Sequence, residues 1–351
     1  MNDIPASARR RAFWMALVSA LLFGMATPFS KSLLASIHPG QLAGLLYLGA
    51  ALFYLPVMVT QRRRGLRLLP AGRKNQGLLL GAVFFGGILG PVLLLTGLQL
   101  SASASMSMWL NMETVATAVL AVLLFREHLG RWTWAGNLGI LAAGVLLGFD
   151  GGLPGWIGLL CAAGACVAWG LDNNMTAVID GITPQATTFW KGVAAGTVNL
   201  GIGLWLSPPP PPGGVAGALV LGALAYGASI GLYITAAQTL GATRSQMVFA
   251  SSPFFGVLLS VLWLGEGMSP LQGAALLFLV VSLAVMFLDS HVHEHHHHPA
   301  THVHEHRHDD LHHDHVHDGP DTQGRHVHEH IHDGREHAHP HWPDLHHRHD
   351  H

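Results

Sequence analysis

The side chains able to do chemistry in this chain are few, and most of them stand in apolar surroundings. Glu113 lies in SMSMWLNMETVATAVLAVLLF, a lone carboxylate in an apolar run, with Asn111 two residues before it. Asp172, Asn173 and Asn174 follow Trp169-Gly170, and Lys191 follows Trp190. Ionisable groups inside an apolar membrane segment are costly to keep there, so each is a functional candidate by default. A different chemistry fills the C-terminus, where 25 of the 61 residues from His291 to His351 are histidine.

Two readings of Glu113 are open. It binds a substrate ammonium or carries a coupling proton, or it is a hydrogen-bonded carboxyl that fixes helix packing. Thr114 lies three residues after Asn111 and Thr117 four after Glu113, so they share helix faces with them. Asp172 and Lys191 sit at similar depth from one side, which permits a salt bridge; alone, Lys191 is expected to snorkel toward the interface. Asp172 to Asn174 read as cavity-lining, with Gly170 loosening the helix. Pro28 removes a backbone bond and should kink its helix, a device useful in a gate, and Pro253 is the second proline assigned to gating.

In the tail, HVHEH recurs at 291, 302 and 326. His291, His293, His295, His302, His304, His306, His326, His328 and His330 are the candidate metal ligands, since imidazole suits zinc, nickel, copper and cobalt. The competing reading is a low-complexity expansion without a cellular role. With so little apolar content, residues 289–351 are expected to be disordered. No cofactor is required by any motif, and divalent metal ions are expected only on the tail.

The elements that must hold these residues are membrane helices. Half of the residues are hydrophobic and 11% charged, a membrane-protein profile. Ten stretches approach the roughly 20 apolar residues that a bilayer needs: 12–34, 40–60, 77–99, 102–125, 132–149, 155–178, 185–206, 214–239, 243–264 and 270–288. Cys161 and Cys166 fall inside one of them and read as core residues. Trp14, Tyr54 and Trp132, near span ends, read as interfacial belts.

The chain also repeats. A shift of 139 residues lays TGLQLSASASMSMWLNMETVATAVLAVLLFRE, from Thr96, over TAAQTLGATRSQMVFASSPFFGVLLSVLWLGE, from Thr235, so that Glu127 meets Glu266. Five spans per half invert the second half in the membrane. Arg9 to Arg11, Arg62 to Arg64, Arg67, Arg73, Lys74, Arg126, Arg131 and Arg244 then share the cytoplasmic side with both termini. The expected fold is all-α and integral to the membrane: a cytoplasmic N-terminus (1–11), two inverted five-helix repeats (12–149 and 155–288) and the tail.

These matched spans, each ending in Phe or Leu, one residue and Glu before LGRWTWAGNLGILAAGVLL or MSPLQGAALLFLVVSLAVMF, resemble the drug/metabolite transporter superfamily and its ten-span EamA-type members. The Glu-Pro pair common in that family is split here, with Glu113 before Thr114 in one half and Pro253 after Ser252 in the other. The resemblance implies alternating access and export of metabolites or amino acids.

The leading expectation is a secondary transporter of the bacterial inner membrane, exporting an amino acid or similar metabolite. Glu113, Asn111, Asp172, Asn173, Asn174 and Lys191 serve substrate or coupling, and Pro28 and Pro253 serve gating. A transporter of nickel, cobalt or zinc with a metal-collecting tail is the alternative, and a metal-storing or sensing membrane protein the third. The partners are the lipid bilayer and a small-molecule substrate, with a homodimer left open; no nucleic acid and no enzyme motif is indicated.

Overall fold

The computed structural model describes residues 6–125, 130–150, 152–177, 179, 182–240, 248–286, 291–296, 300–306, 326–332 and 336–341. From Ala6 to Met286 its regular elements are helices: α1 (Ala6–Gly24), α2 (Ala26–Leu33), α3 (Pro39–Arg63), α4 (Arg73–Ala82), α5 (Gly90–Leu100), α6 (Ser103–Trp109), α7 (Met112–Phe125), α8 (Arg131–Asp150), α9 (Gly152–Ala177), α10 (Pro184–Leu206), α11 (Pro212–Leu221), α12 (Ser229–Leu240), α13 (Ser252–Leu264) and α14 (Pro270–Met286). Segments of π-helix, Val83–Leu89 and Gly222–Ala228, join α4 to α5 and α11 to α12. Five runs among the described residues are long and apolar enough to cross a membrane: Arg10–Leu33, Pro39–Arg63, Arg73–Leu100, Gly152–Thr176 and Pro212–Tyr233. Trp134–Leu147, Ser252–Leu264 and Pro270–Val285 are shorter apolar helices.

Helix starts follow local chemistry. His38 Nδ1 accepts the Gly40 N–H at 3.2 Å, Gln41 Oε1 accepts the His38 N–H at 3.3 Å, and Pro39 opens α3. Ser269 and Gln272 exchange the same pair of bonds before α14, at 3.1 and 3.0 Å. Gly265 ends α13 at φ 65°, the left-handed conformation that glycine adopts without a Cβ clash. Pro28 lies four residues after Gly24, where its ring cannot accommodate the carbonyl, and the first run breaks at Met25, between α1 and α2. Pro253 does otherwise. It sits in the first turn of α13, where a missing N–H costs nothing, and so starts a helix rather than kinking one.

The repeat reaches into backbone detail. Arg73 opens α4, Val83 the first π-segment and Gly90 α5; 139 residues on in each case, Pro212 opens α11, Gly222 the second π-segment and Ser229 α12. A π-turn displaces carbonyls from the regular ladder, and side chains of neighbouring helices take them up. Tyr47 Oη and Trp169 Nε1 both donate to Gly86 O, at 2.6 and 3.0 Å, and Asn199 Nδ2 donates to Gly87 O at 2.9 Å. In the second half Tyr54 Oη donates to Gly227 O at 3.0 Å. Tyr54 is therefore a buried link between α3 and the second π-segment, not an interfacial residue; Trp14 and Trp132 are exposed.

Glycines set the closest helix approaches. A Cβ at Gly44 or Gly203 would overlap backbone of α10 or α3, and one at Gly24 would meet Ser252 O and Phe255 of α13. Cys166 is buried and its thiol points at Trp109 O, 3.7 Å away. Large apolar side chains such as Trp205, 84% exposed, and Leu153, 74% exposed, face outward, the surface a lipid-embedded bundle presents.

Four stretches of the tail are strands. β1 (His291–His296) pairs antiparallel with β4 (Glu336–His341), and β2 (Ala300–His306) with β3 (His326–His332). The expectation of a tail without structure is corrected for these stretches: HVHEH alternates with period two, the pattern of a strand. The remaining tail residues lie outside the described residues, as do Arg126, Glu127, His128 and Arg244.

Candidate functional site

The site is built where the run Ser103–Phe125 breaks. At Leu110-Asn111 the ladder tightens to i→i−3 bonds, with Glu113 N–H on Leu110 O and Thr114 N–H on Asn111 O, both at 3.1 Å. Asn111 drives this locally, because its Nδ2 donates back to Met108 O at 3.2 Å in competition with the helix. The second half uses the same device: Ser251 Oγ donates to Val248 O at 2.6 Å just before α13. Glu113 consequently lies in the first turn of α7, at the start of a half-helix.

Glu113 is half-buried, and its Oε1 accepts Asn173 Nδ2 at 2.9 Å; the same amide reaches Thr117 Oγ1 at 3.3 Å. Asn173 is exposed, so this pair of side chains borders accessible space. Asn174 turns the other way, buried, with Nδ2 on Gly170 O at 2.7 Å and Thr117 O at 3.3 Å, tying α9 to α7. Gly170 permits this approach, since a Cβ there would come within 3.0 Å of Thr117 N. Asn111 is likewise buried, its amide spent within its own chain segment.

Asp172 and Lys191 form an ion pair through Oδ2 and Nζ. The carboxylate is buried against the first π-segment, where a Cβ on Gly86 would fall on it, and its Oδ1 has no partner among the described residues. Lys191 is therefore held by a charge across the bundle, which sequence depth alone permitted but did not select over snorkelling. Glu113 lies within electrostatic reach of both members of the pair.

Aromatic rings from α1, α3, the second π-segment and α12 cluster together. Tyr226 stacks near Tyr47 at 5.5 Å and Phe23 at 5.9 Å, while Phe249 meets Phe23 at 5.4 Å and Tyr233 at 5.1 Å between ring centroids. Tyr226 and Tyr233 are within electrostatic reach of Glu113. Sequence reasoning missed these tyrosines. Their signal was scarcity: the chain has 4 tyrosines, and all fall inside apolar runs, where a phenolic hydroxyl needs a partner.

It also missed a set of contacts at one end of the bundle. Glu266 Oε1 and Oε2 accept the N–H groups of Ser103 and Ala104, each at 2.9 Å. Lys31 Nζ donates to Leu98 O at 2.6 Å, Ser101 O at 2.9 Å and Gln99 O at 3.3 Å. Ser260 Oγ donates to Ser103 Oγ at 2.9 Å, Gln272 Nε2 to Ser105 Oγ at 3.0 Å and Trp263 Nε1 to Ser32 Oγ at 3.3 Å. These bonds gather α2, α5, α6, α13 and α14 at the end opposite the first turns of α4 and α10. Lys31, a charge three residues from the end of an apolar run, was the sequence signal for them.

Among the described residues whose side chains are placed, no three His, Cys, Asp or Glu gather closely enough to hold one metal ion.

Comparison with known proteins fits this architecture. A model of the EamA-like transporter family matches residues 10–149 and 156–288, leaving the tail outside. An uncharacterized transporter of Methanothermobacter thermautotrophicus is 24% identical over 300 residues, 80% of this chain and 87% of that protein. One solved crystal structure overlays with a TM-score of 0.59 at 18% identity, covering 80% of this chain and 98% of that one, a likeness of fold.

Proposed function

We propose, from the premise that this chain belongs to the EamA-like transporter family and is a multi-pass membrane protein, that it exports a small ammonium-bearing metabolite, an amino acid or a close analogue, by alternating access. The observation that carries the reading is Glu113 held by Asn173 at the start of a half-helix, half-buried, with Tyr226 and Tyr233 within its electrostatic reach. Discontinuous helices near the midplane are where transporters place their sites. A carboxylate and aromatic faces suit a cation, and an amide offers hydrogen bonds of both senses.

The proposed frame is ten spans in two inverted repeats, in the inner membrane of a bacterium with both termini in the cytoplasm. The recurrence of helix starts and π-segments 139 residues apart supports it, as do the Arg and Lys positions. In this orientation the Glu266 and Lys31 contacts tie the helices together at the outer end, which supports loading from the cytoplasmic side. The Asp172–Lys191 pair keeps two charges neutralised beside the path.

The test is flux of amino acids and amines from proteoliposomes. Glu113→Gln should abolish transport while the protein stays folded; transport at the parent rate would return Glu113 to helix packing.

A further inference from the structure

We propose that the tail binds divalent zinc-like metal ions between its paired strands, one tightly held ion per strand pair and two per chain. The inference stands apart from the cargo of the membrane bundle and survives whatever that cargo is.

It rests on register. In β2–β3, His302 lies opposite His330, His304 opposite His328 and His306 opposite His326. In β1–β4, His291 lies opposite His341, His293 opposite His339 and His295 opposite His337. Residues directly opposite in an antiparallel pair share a face, with Cβ atoms about 4.5–5.5 Å apart, and residues two apart along a strand share it too. Each pair of strands therefore carries three successive His–His rungs on one face. The other face of β2–β3 holds Thr301 with Ile331, Val303 with Glu329 and Glu305 with Val327.

Two adjacent rungs supply four imidazoles, the number a tetrahedral zinc takes. The third rung leaves two imidazoles in β1–β4 and, with His332 opposite Ala300, three in β2–β3, in each case short of the four of a second closed site, which sets the count at one tightly held ion per pair. Chemistry favours zinc, nickel, copper or cobalt, since neutral imidazole suits these and not calcium or magnesium. Charge assists: from His291 onward the chain has 4 Arg against 12 Asp and Glu, so the tail attracts dications.

Strand energetics point the same way. An isolated two-stranded pair is marginal in water, and the apolar residues these strands bring are few, Val303, Val327 and Ile331 in β2–β3. Metal bonds that form only in the paired arrangement contribute directly to its folding. The strictly alternating HVHEH units are then a pairing code rather than a histidine count.

The experiment uses the full chain, purified and stripped of metal with a chelator, then titrated with zinc against an indicator of known affinity. The parent should bind two ions tightly. The triple variant His302→Asn, His304→Asn, His306→Asn should bind one, with the second weakened at least tenfold. A control with the same loss outside the strands, His312→Asn, His313→Asn, His315→Asn, should still bind two. Amide hydrogen exchange of the strand segments should slow on zinc addition in the parent and the control. Equal losses in the two triple variants, two tight ions in both, or no tight binding in the parent would each overturn the assignment.

Discussion

Glu266 reaches 163 residues back along the chain to Ser103, taking its N–H at 2.9 Å on one carboxylate oxygen and that of Ala104 at 2.9 Å on the other. One side chain thus ties the loop between α13 and α14 to the start of α6, the half-helix that leads to Glu113. Its counterpart in the repeat, Glu127, lies outside the described residues.

Glu266→Gln keeps one acceptor and loses the charge. Hydrogen bonds to a charged group are worth about 1.5–3 kcal/mol, enough to shift a two-state equilibrium roughly tenfold or more. Spin labels on Ala102→Cys and Met268→Cys, in a chain with Cys161 and Cys166 replaced by Ala, should report a larger population at long distance in this variant. An unchanged distance distribution would remove Glu266 from closure of that end.

Asn173→Ala removes the amide that orients Glu113 but leaves the carboxylate. Transport should fall about tenfold, the effect of losing roughly 1.4 kcal/mol of positioning, while thermal stability stays within about 0.5 kcal/mol, as for a change away from the core. Asn174→Ala should show the reverse balance, since it breaks buried bonds to Gly170 O and Thr117 O. If the two variants behave alike, the division between lining and packing amides is wrong.

Asp172→Asn leaves Lys191 without its partner in a poorly solvated place. Breaking such a pair costs about 3–5 kcal/mol where both groups are buried; Lys191 is partly exposed, so about 2 kcal/mol is expected here. The double variant Asp172→Asn, Lys191→Met should regain most of the loss in thermal unfolding in detergent. A double variant less stable than the single one would show that the two charges act separately.

Gly86→Ala places a methyl where the Asp172 carboxylate lies. It should destabilise by about 1–3 kcal/mol, the usual range for overpacking, and disturb the ion pair with Lys191. Gly201→Ala is the control: nothing lies within 4 Å of a Cβ there, so helix propensity alone should leave it neutral or up to about 1 kcal/mol more stable. Equal responses at the two positions would refute the packing account of the π-segment.

Much was legible in the chain itself, for identifiable reasons. A carboxylate in an apolar run is conspicuous, so Glu113 and the triplet at Asp172 stood out. Apolar length marks spans, and the 139-residue shift exposed a duplication under which the starts of α4 and α11, and of α5 and α12, coincide. HVHEH stood out by its histidines, and its period-two alternation is the pattern that the paired stretches share.

What the sequence by itself determined is thus local: which runs are apolar, where they repeat, which charges they carry, and where Pro28 denies a helix its bond. Tertiary structure alone decided the π-segments, because Gly86 O and Gly227 O can leave the helical ladder only when Tyr47, Trp169 and Tyr54 arrive from other helices to receive them. It also decided which amide faces Glu113, whether Lys191 pairs or snorkels, and which N–H groups Glu266 caps. Each of those outcomes joins residues 19 to 163 positions apart, and a bond across such a separation exists only once packing has brought its two ends together.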